Sequence, residues 1–126
     1  MIAADTSSVI NFLNGEDSSD AALVEEAIRN CVLVLPPMVV SELLSSPRMT
    51  TLVREMILQL PCPEIKEGFW ERVGDHRATL LKSKLKARLA DSMIATFCLD
   101  HKLPIIAKDL DYRHFAKHFG LLVQAG

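Results

Sequence analysis

The sequence predicts an α/β fold, a three-layer α/β/α sandwich around a central parallel sheet of about four to five strands. Two observations predict it. Several short apolar runs, "MIAAD", "CVLVL", "LPIIA" and "LLV", lack the alternation of half-exposed strands and are too short for helices, so they read as strands buried on both faces. Segments of helical periodicity fill the intervals between them, which supplies the crossovers that parallel strands need. With 126 residues, 49% of them hydrophobic and 24% charged, the chain is expected to be one domain, 1–126, with one core.

The elements follow in order. "MIAAD" is the first strand, closed by Asp5, and "TSSVINFLNG" sets Val9, Ile10 and Leu13 at helical spacing before Gly15. In "DSSDAALVEEAIRN", Ser18, Ser19 and Asp20 are candidate caps of a second helix whose inner face is Leu23, Val24, Ala27 and Ile28. "CVLVL" is the second strand, and Pro36-Pro37 leads into a third helix, "MVVSELLSS". Leu52, Val53, Met56, Ile57 and Leu60 outline a fourth helix, ended by "PCP". Phe69, Trp70, Val73, Leu80 and Leu81 outline a fifth, interrupted in pattern near Gly74, and "RLADSMIATFCLDHK" a sixth. "LPIIA" is a third strand, "YRHFAKHF" a helix stopped by Gly120, and "LLV" a last strand.

Composition excludes some classes. A net charge of −2 argues against a protein held to nucleic acid by bulk charge. Cys31, Cys62 and Cys98 are odd in number and lack C-x-x-C spacing, so they suggest neither a disulfide framework nor a zinc ribbon; buried thiols in a reducing, cytoplasmic setting are expected. No leader or membrane-length apolar run is read. G-x-x-x-x-G-K and G-x-S-x-G are absent, which removes P-loop and serine-hydrolase readings. "AADTS" lacks the acidic pair of a phosphoacceptor domain and the second acid of a D-x-D phosphatase.

The chemistry-bearing pattern is acidic. Ligands in open parallel sheets gather at the carboxyl ends of the strands. Asp5 follows the first strand and Asp109 the third, with Asp111 two residues on. Glu42 and Asp91 sit on helix faces whose neighbours are apolar: Met38 and Val39 for Glu42, and Ile94, Ala95 and Cys98 for Asp91. Each acid alone has a bland reading. Asp5, Asp91 and Asp109 could be helix caps, and Glu42 an edge residue turned to water. Convergence on one rim changes the balance, because clustered carboxylates repel unless a cation neutralises them. An oxygen-only donor set fits Mg²⁺ or Mn²⁺, ions that serve attack by water on phosphodiesters.

These motifs resemble those of the PIN-domain ribonuclease family, and in size and layout its short VapC-type toxin branch. "IAADTSSVINFL" is similar to the opening D-T-[SN] motif, "PPMVVSELL" to S-E-L, "LADSMIATFCL" to A-D-x-x-I-A, and "IIAKDLDYRHF" to the closing T-x-D-x-D-F motif. The resemblance runs from end to end. It implies that Asp5, Glu42, Asp91 and Asp109 are the catalytic, metal-binding acids, with Asp111 as an outer ligand and Thr6 and Ser7 as polar supports. It also implies Mg²⁺- or Mn²⁺-dependent endoribonuclease activity, homodimerisation and a small antitoxin partner. Two departures stand out: Ala107 where the family generally has a hydroxyl residue, and Tyr112 where it often has phenylalanine. Loss of the hydroxyl at 107 would weaken the support around Asp109.

Three further features have two readings each. From Arg77 to Arg88 there is no acid, and Lys82, Lys84, Lys86 and Arg88 form either a strip for an RNA backbone or a solvated face. His114 and His118, with Asp111, have Zn²⁺-like spacing, although such pairs are commonly plain surface residues. The stripe from 52 to 60 is either core or a face for a partner. The rival function is a PIN-like binding or regulatory module with weak or no cleavage; a housekeeping RNA-processing nuclease is a further alternative to a toxin.

Overall fold

In a computed structural model that describes residues 1–124, β1 (Ile2–Ala4), β2 (Leu33–Val34), β3 (Ile105–Ile106) and β4 (Val123–Gln124) form one sheet ordered β2-β1-β3-β4. All three pairings are parallel. β1 lies inside, paired with β2 through Ile2↔Leu33 and with β3 through Ala3↔Ile105. Ala3, Ala4, Leu33, Val34, Ile105 and Ile106 are all buried, as strands covered on both faces require.

The helices are α1 (Thr6–Leu13), α2 (Ser19–Arg29), α3 (Pro37–Leu44), α4 (Thr51–Gln59), α5 (Phe69–Lys82), α6 (Leu89–Asp100) and α7 (Tyr112–Phe119). Every element expected from the periodicity is present, with small shifts. β4 starts at Val123 rather than Leu121, because Leu121 packs into the core while Leu122 is exposed. Gly74 does not interrupt α5. Ser18, not Asp20, caps α2; Asp20 is buried and accepts a bond from Asn11 Nδ2 at 2.9 Å, tying α2 to α1.

α6 carries Asp91 in its first turn. Its far end is clamped by Arg72 of α5, whose Nε and Nη2 donate to the two carboxylate oxygens of Asp100 at 2.8 and 2.7 Å. Such a two-pronged pair fixes direction as well as distance. Arg72 Nη1 also donates to Glu67 O at 2.9 Å, across Gly68. Gly68 has φ 81, and a Cβ there would lie 2.7 Å from Arg72 Nη1, so the turn requires glycine. Buried Ile94, Ala95, Phe97 and Cys98 set the rotation of α6.

One sequence expectation is corrected. Of the cysteines only Cys98 is buried, and burial pushes its thiol up to about 12. Cys31 and Cys62 are exposed, Cys31 in a turn at φ 56 and Cys62 in the proline-flanked segment after α4. The stripe on α4 is largely core: Ile57 is buried and Val53 and Leu60 pack against the same cluster, while Leu52 is exposed. Among the described residues no helix is long and apolar enough to cross a membrane.

Candidate metal centre

Asp5 extends β1 by one residue, its backbone N–H donating to Ile106 O at 2.9 Å. Its carboxylate caps α1, with Oδ1 accepting from Thr6 N at 2.7 Å, and Oδ2 accepting from Ser7 Oγ at 3.0 Å. Oδ1 accepts a further bond from the Tyr112 hydroxyl at 3.1 Å. The cap reading of Asp5 is therefore realised without excluding a second role. Burial raises its pKa from the ordinary carboxylate value, against the opposing pull of these donors.

Asp91 has no comparable support. It is the third residue of α6, whose cap position is Arg88, and it makes no capping bond. Its Oδ1 lies 3.5 Å from the Tyr112 hydroxyl, and its Oδ2 is buried without a hydrogen-bond partner. Burial first, then the charges of Asp5 and Asp109, push its pKa up to about 6, with Arg88 opposing and Asp111 adding.

The loop after β3 completes the rim. Asp109 Oδ1 accepts from Asp111 N at 2.9 Å, a local turn that brings the two acids side by side. Asp91, Asp109 and Asp111 can place one carboxylate oxygen each within 4.8 Å of one another. Asp111, expected as an outer ligand, thus stands inside the closest trio. Glu42 approaches from α3, exposed at the edge, its Oε1 accepting from Thr6 Oγ1 at 2.8 Å. The polar supports expected at Thr6 and Ser7 are both engaged with acids, Thr6 with Glu42 and Ser7 with Asp5.

Ala107 is buried just before Lys108 and brings no hydroxyl to this rim. A hydroxyl arrives instead from Tyr112, which joins Asp5 and Asp91 rather than Asp109. Tyr112 was visible in the sequence only as a departure from phenylalanine. Of the expected basic strip, Lys82, Lys84, Lys86 and Arg88 are exposed around the α5–α6 connection. Lys86 Nζ lies 3.8 Å from Asp111 Oδ2, which puts the strip against the acids. Arg77 leaves it, donating from Nε to Ala87 O at 2.8 Å. Neither His114 nor His118 belongs to the acid trio.

The donor set fits a hard divalent cation: it is all carboxylate, and one buried oxygen, Asp91 Oδ2, has no protein partner. The model of the PIN domain matches residues 2–118. The chain belongs to the PIN domain family. No curated protein shows a match to the sequence. Among solved structures, this PIN domain resembles VapBC-1 from nontypeable Haemophilus influenzae, with a TM-score of 0.75 at 16% identity over 98% of this chain and 97% of that one. It also resembles FitAcB from Neisseria gonorrhoeae (TM-score 0.74, 17% identity, 98% and 96% covered) and VapBC-5 from Mycobacterium tuberculosis, a member of the VapBC family of toxin-antitoxin systems (0.65, 17%, 97% and 95%). These likenesses fix the PIN fold.

The raised pKa of Asp91 has a defined sign. Below about 3.8 the group is protonated folded and unfolded alike; between there and about 6 the folded state keeps a proton that the unfolded state releases. In chelator, therefore, Asp91 lowers stability progressively as pH rises through that window. Asp91→Asn should melt at a higher temperature than the parent at pH 7.5 in chelator, with the gap closing toward pH 4. Thermal denaturation that finds no gap at pH 7.5, or a variant that melts lower, contradicts this account.

Proposed function

We propose that the chain is a Mg²⁺- or Mn²⁺-dependent endoribonuclease, the toxin of a toxin–antitoxin pair. The observation that carries the reading is the convergence of Asp5, Glu42, Asp91, Asp109 and Asp111 on one rim, where a buried Asp91 oxygen lacks any protein partner. Asp5, Glu42, Asp91 and Asp109 would hold the cation, with Asp111 beside them. When bound, such an ion generates a nucleophile from water near neutral pH and stabilises charge on the departing oxygen. Asp5 and Asp91 are held by their elements, so they supply fixed charge with little reorganisation. Glu42, exposed at the edge, is the most open of these acids to solvent, Asp91, Asp109 and Asp111 being half-buried. Lys82, Lys84, Lys86 and Arg88 would take the RNA backbone beside the acids, offsetting the repulsion between carboxylates and phosphates.

Support for a partner antitoxin is that solved structures resembling this one include a toxin–antitoxin complex from Klebsiella pneumoniae and DNA-bound VapBC from Salmonella typhimurium. Support for a homodimer is an apolar face formed by Met38, Ile65, Trp70, Leu81, Leu89 and Met93, with cavities of about 420 and about 300 Å³ on the two sides of Trp70. Trp70 is 60% exposed there, and faces of this kind mark association surfaces.

Expressed in cells without its neighbouring reading frame, the protein should arrest growth and fragment RNA. Asp5→Asn, Glu42→Gln and Asp91→Asn should each remove both effects and lower cleavage by the purified protein at least about a hundredfold. Cleavage that persists in all three variants sinks the catalytic reading; RNA binding without cleavage in either metal would favour the binding-module alternative. Lys84→Glu combined with Lys86→Glu should reduce the salt slope of RNA binding by about two; an unchanged slope makes the strip a solvated face. Sedimentation should give twice the chain mass for the parent and one chain mass for Trp70→Glu, and a monomeric parent rules out this dimer.

A further inference from the structure

The phenol of Tyr112 is placed by the same turn that carries Asp109 and Asp111: Tyr112 N donates to Asp109 O at 3.3 Å, and the ring is completely buried. Its hydroxyl lies 3.1 Å from Asp5 Oδ1 and 3.5 Å from Asp91 Oδ1. One phenol carries one proton, so the shorter contact to Asp5 is the bond and Asp91 is the alternative acceptor. Asp5 Oδ1 already accepts from Thr6 N at 2.7 Å, and with Tyr112 both of its lone pairs are occupied. Asp5 is left with one lone pair on Oδ2, the other taken by Ser7 Oγ at 3.0 Å, and Asp91 with its buried, unpartnered Oδ2.

We propose that Tyr112 is a positioning residue that sets the metal preference of this site, by donating to Asp5 Oδ1, with Asp91 Oδ1 as its alternative acceptor, and so leaving Asp5 one oxygen for the ion. The proposal rests on the metal-dependent reading above. One-oxygen carboxylates suit Mg²⁺ and Mn²⁺, whose small shells demand strict geometry, whereas Ca²⁺ accepts two-oxygen carboxylates and irregular shells. Phenylalanine at 112 would keep the ring and free one lone pair of Asp5 Oδ1, the other still held by Thr6 N, so the selectivity, rather than the fold, depends on the hydroxyl.

The test is calorimetric titration of the purified full chain and of Tyr112→Phe with Mn²⁺ alone and with Ca²⁺ alone, without RNA. Loss of an outer hydrogen bond should raise the Mn²⁺ dissociation constant about tenfold, while the Ca²⁺ constant moves by less than about threefold. Equal weakening for both ions would mean a merely loosened fold and would overturn the proposal, as would no change for either. A parent chain that binds neither ion removes the metal-dependent reading itself, and this inference with it. Tyr112 is the only tyrosine in the sequence, which gives a second readout that needs no variant. Mn²⁺ added to the parent should perturb tyrosine absorption with the calorimetric midpoint, and a phenol blind to the bound ion would count against the assignment.

Discussion

Mutual repulsion among partly buried carboxylates is the constraint on which the rest of this rim depends. Asp5, Asp91, Asp109 and Asp111 come from three separate parts of the chain, and nothing apolar gains from their proximity. The fold offsets part of the cost with backbone dipoles. Asp5 caps α1, Asp91 lies in the first turn of α6, and Asp111 stands at the start of α7, so three helix N-termini face the acids. Each such end is worth roughly 0.3–1 kcal/mol to a nearby anion, which softens the repulsion without cancelling it. Asp91 bears most of what is left: burial first, and then the charges of Asp5 and Asp109, push its carboxyl up to about 6.

The distribution of charge sharpens the contrast between global and local electrostatics. A net charge of −2 conceals a rim of acids next to a loop of exposed bases, joined where Lys86 Nζ meets Asp111 Oδ2 at 3.8 Å. Within a Debye length of about 8–10 Å the two signs act on the same ligand. On the proposed reading, a phosphate chain drawn to the loop would be held at the border of the region that repels it. That placement is what a reaction at phosphorus needs, because attraction supplies position while the acids supply the field for a cation.

Much of the fold was legible in residue order, for a physical reason: short strands buried on both faces leave an unambiguous apolar signature, as in "CVLVL" and "PIIA". Asp5 and Asp109 could be placed because the carboxyl ends of parallel strands share one edge. Glu42 and Asp91 could be placed because their apolar neighbours fix the rotation of α3 and α6. What stayed hidden depends on distances across the sheet. The Tyr112 hydroxyl meets Asp5 across 107 positions of sequence, and no periodicity reports such a contact. The entry of Asp111 into the closest trio depends on the local turn at Asp109 Oδ1, below the resolution of spacing. The exposed thiols were misplaced for the opposite reason, since composition speaks of cysteine in general and not of a turn at φ 56.

Glu42 links the charged rim to the apolar face. It shares α3 with Met38, one turn earlier, and lines the same cavity as Met38, Trp70 and Met93. Through Thr6 Oγ1 it also adjoins the α1 cap that holds Asp5. Covering the apolar face removes water from one side of Glu42 and lowers the effective dielectric between it and Asp5. The same charges then interact more strongly, both with each other and with any cation among them. The proposed association through this face would thus be coupled to the electrostatics of the site by one helix turn, and a substitution such as Met38→Ala would be felt on both sides of that border.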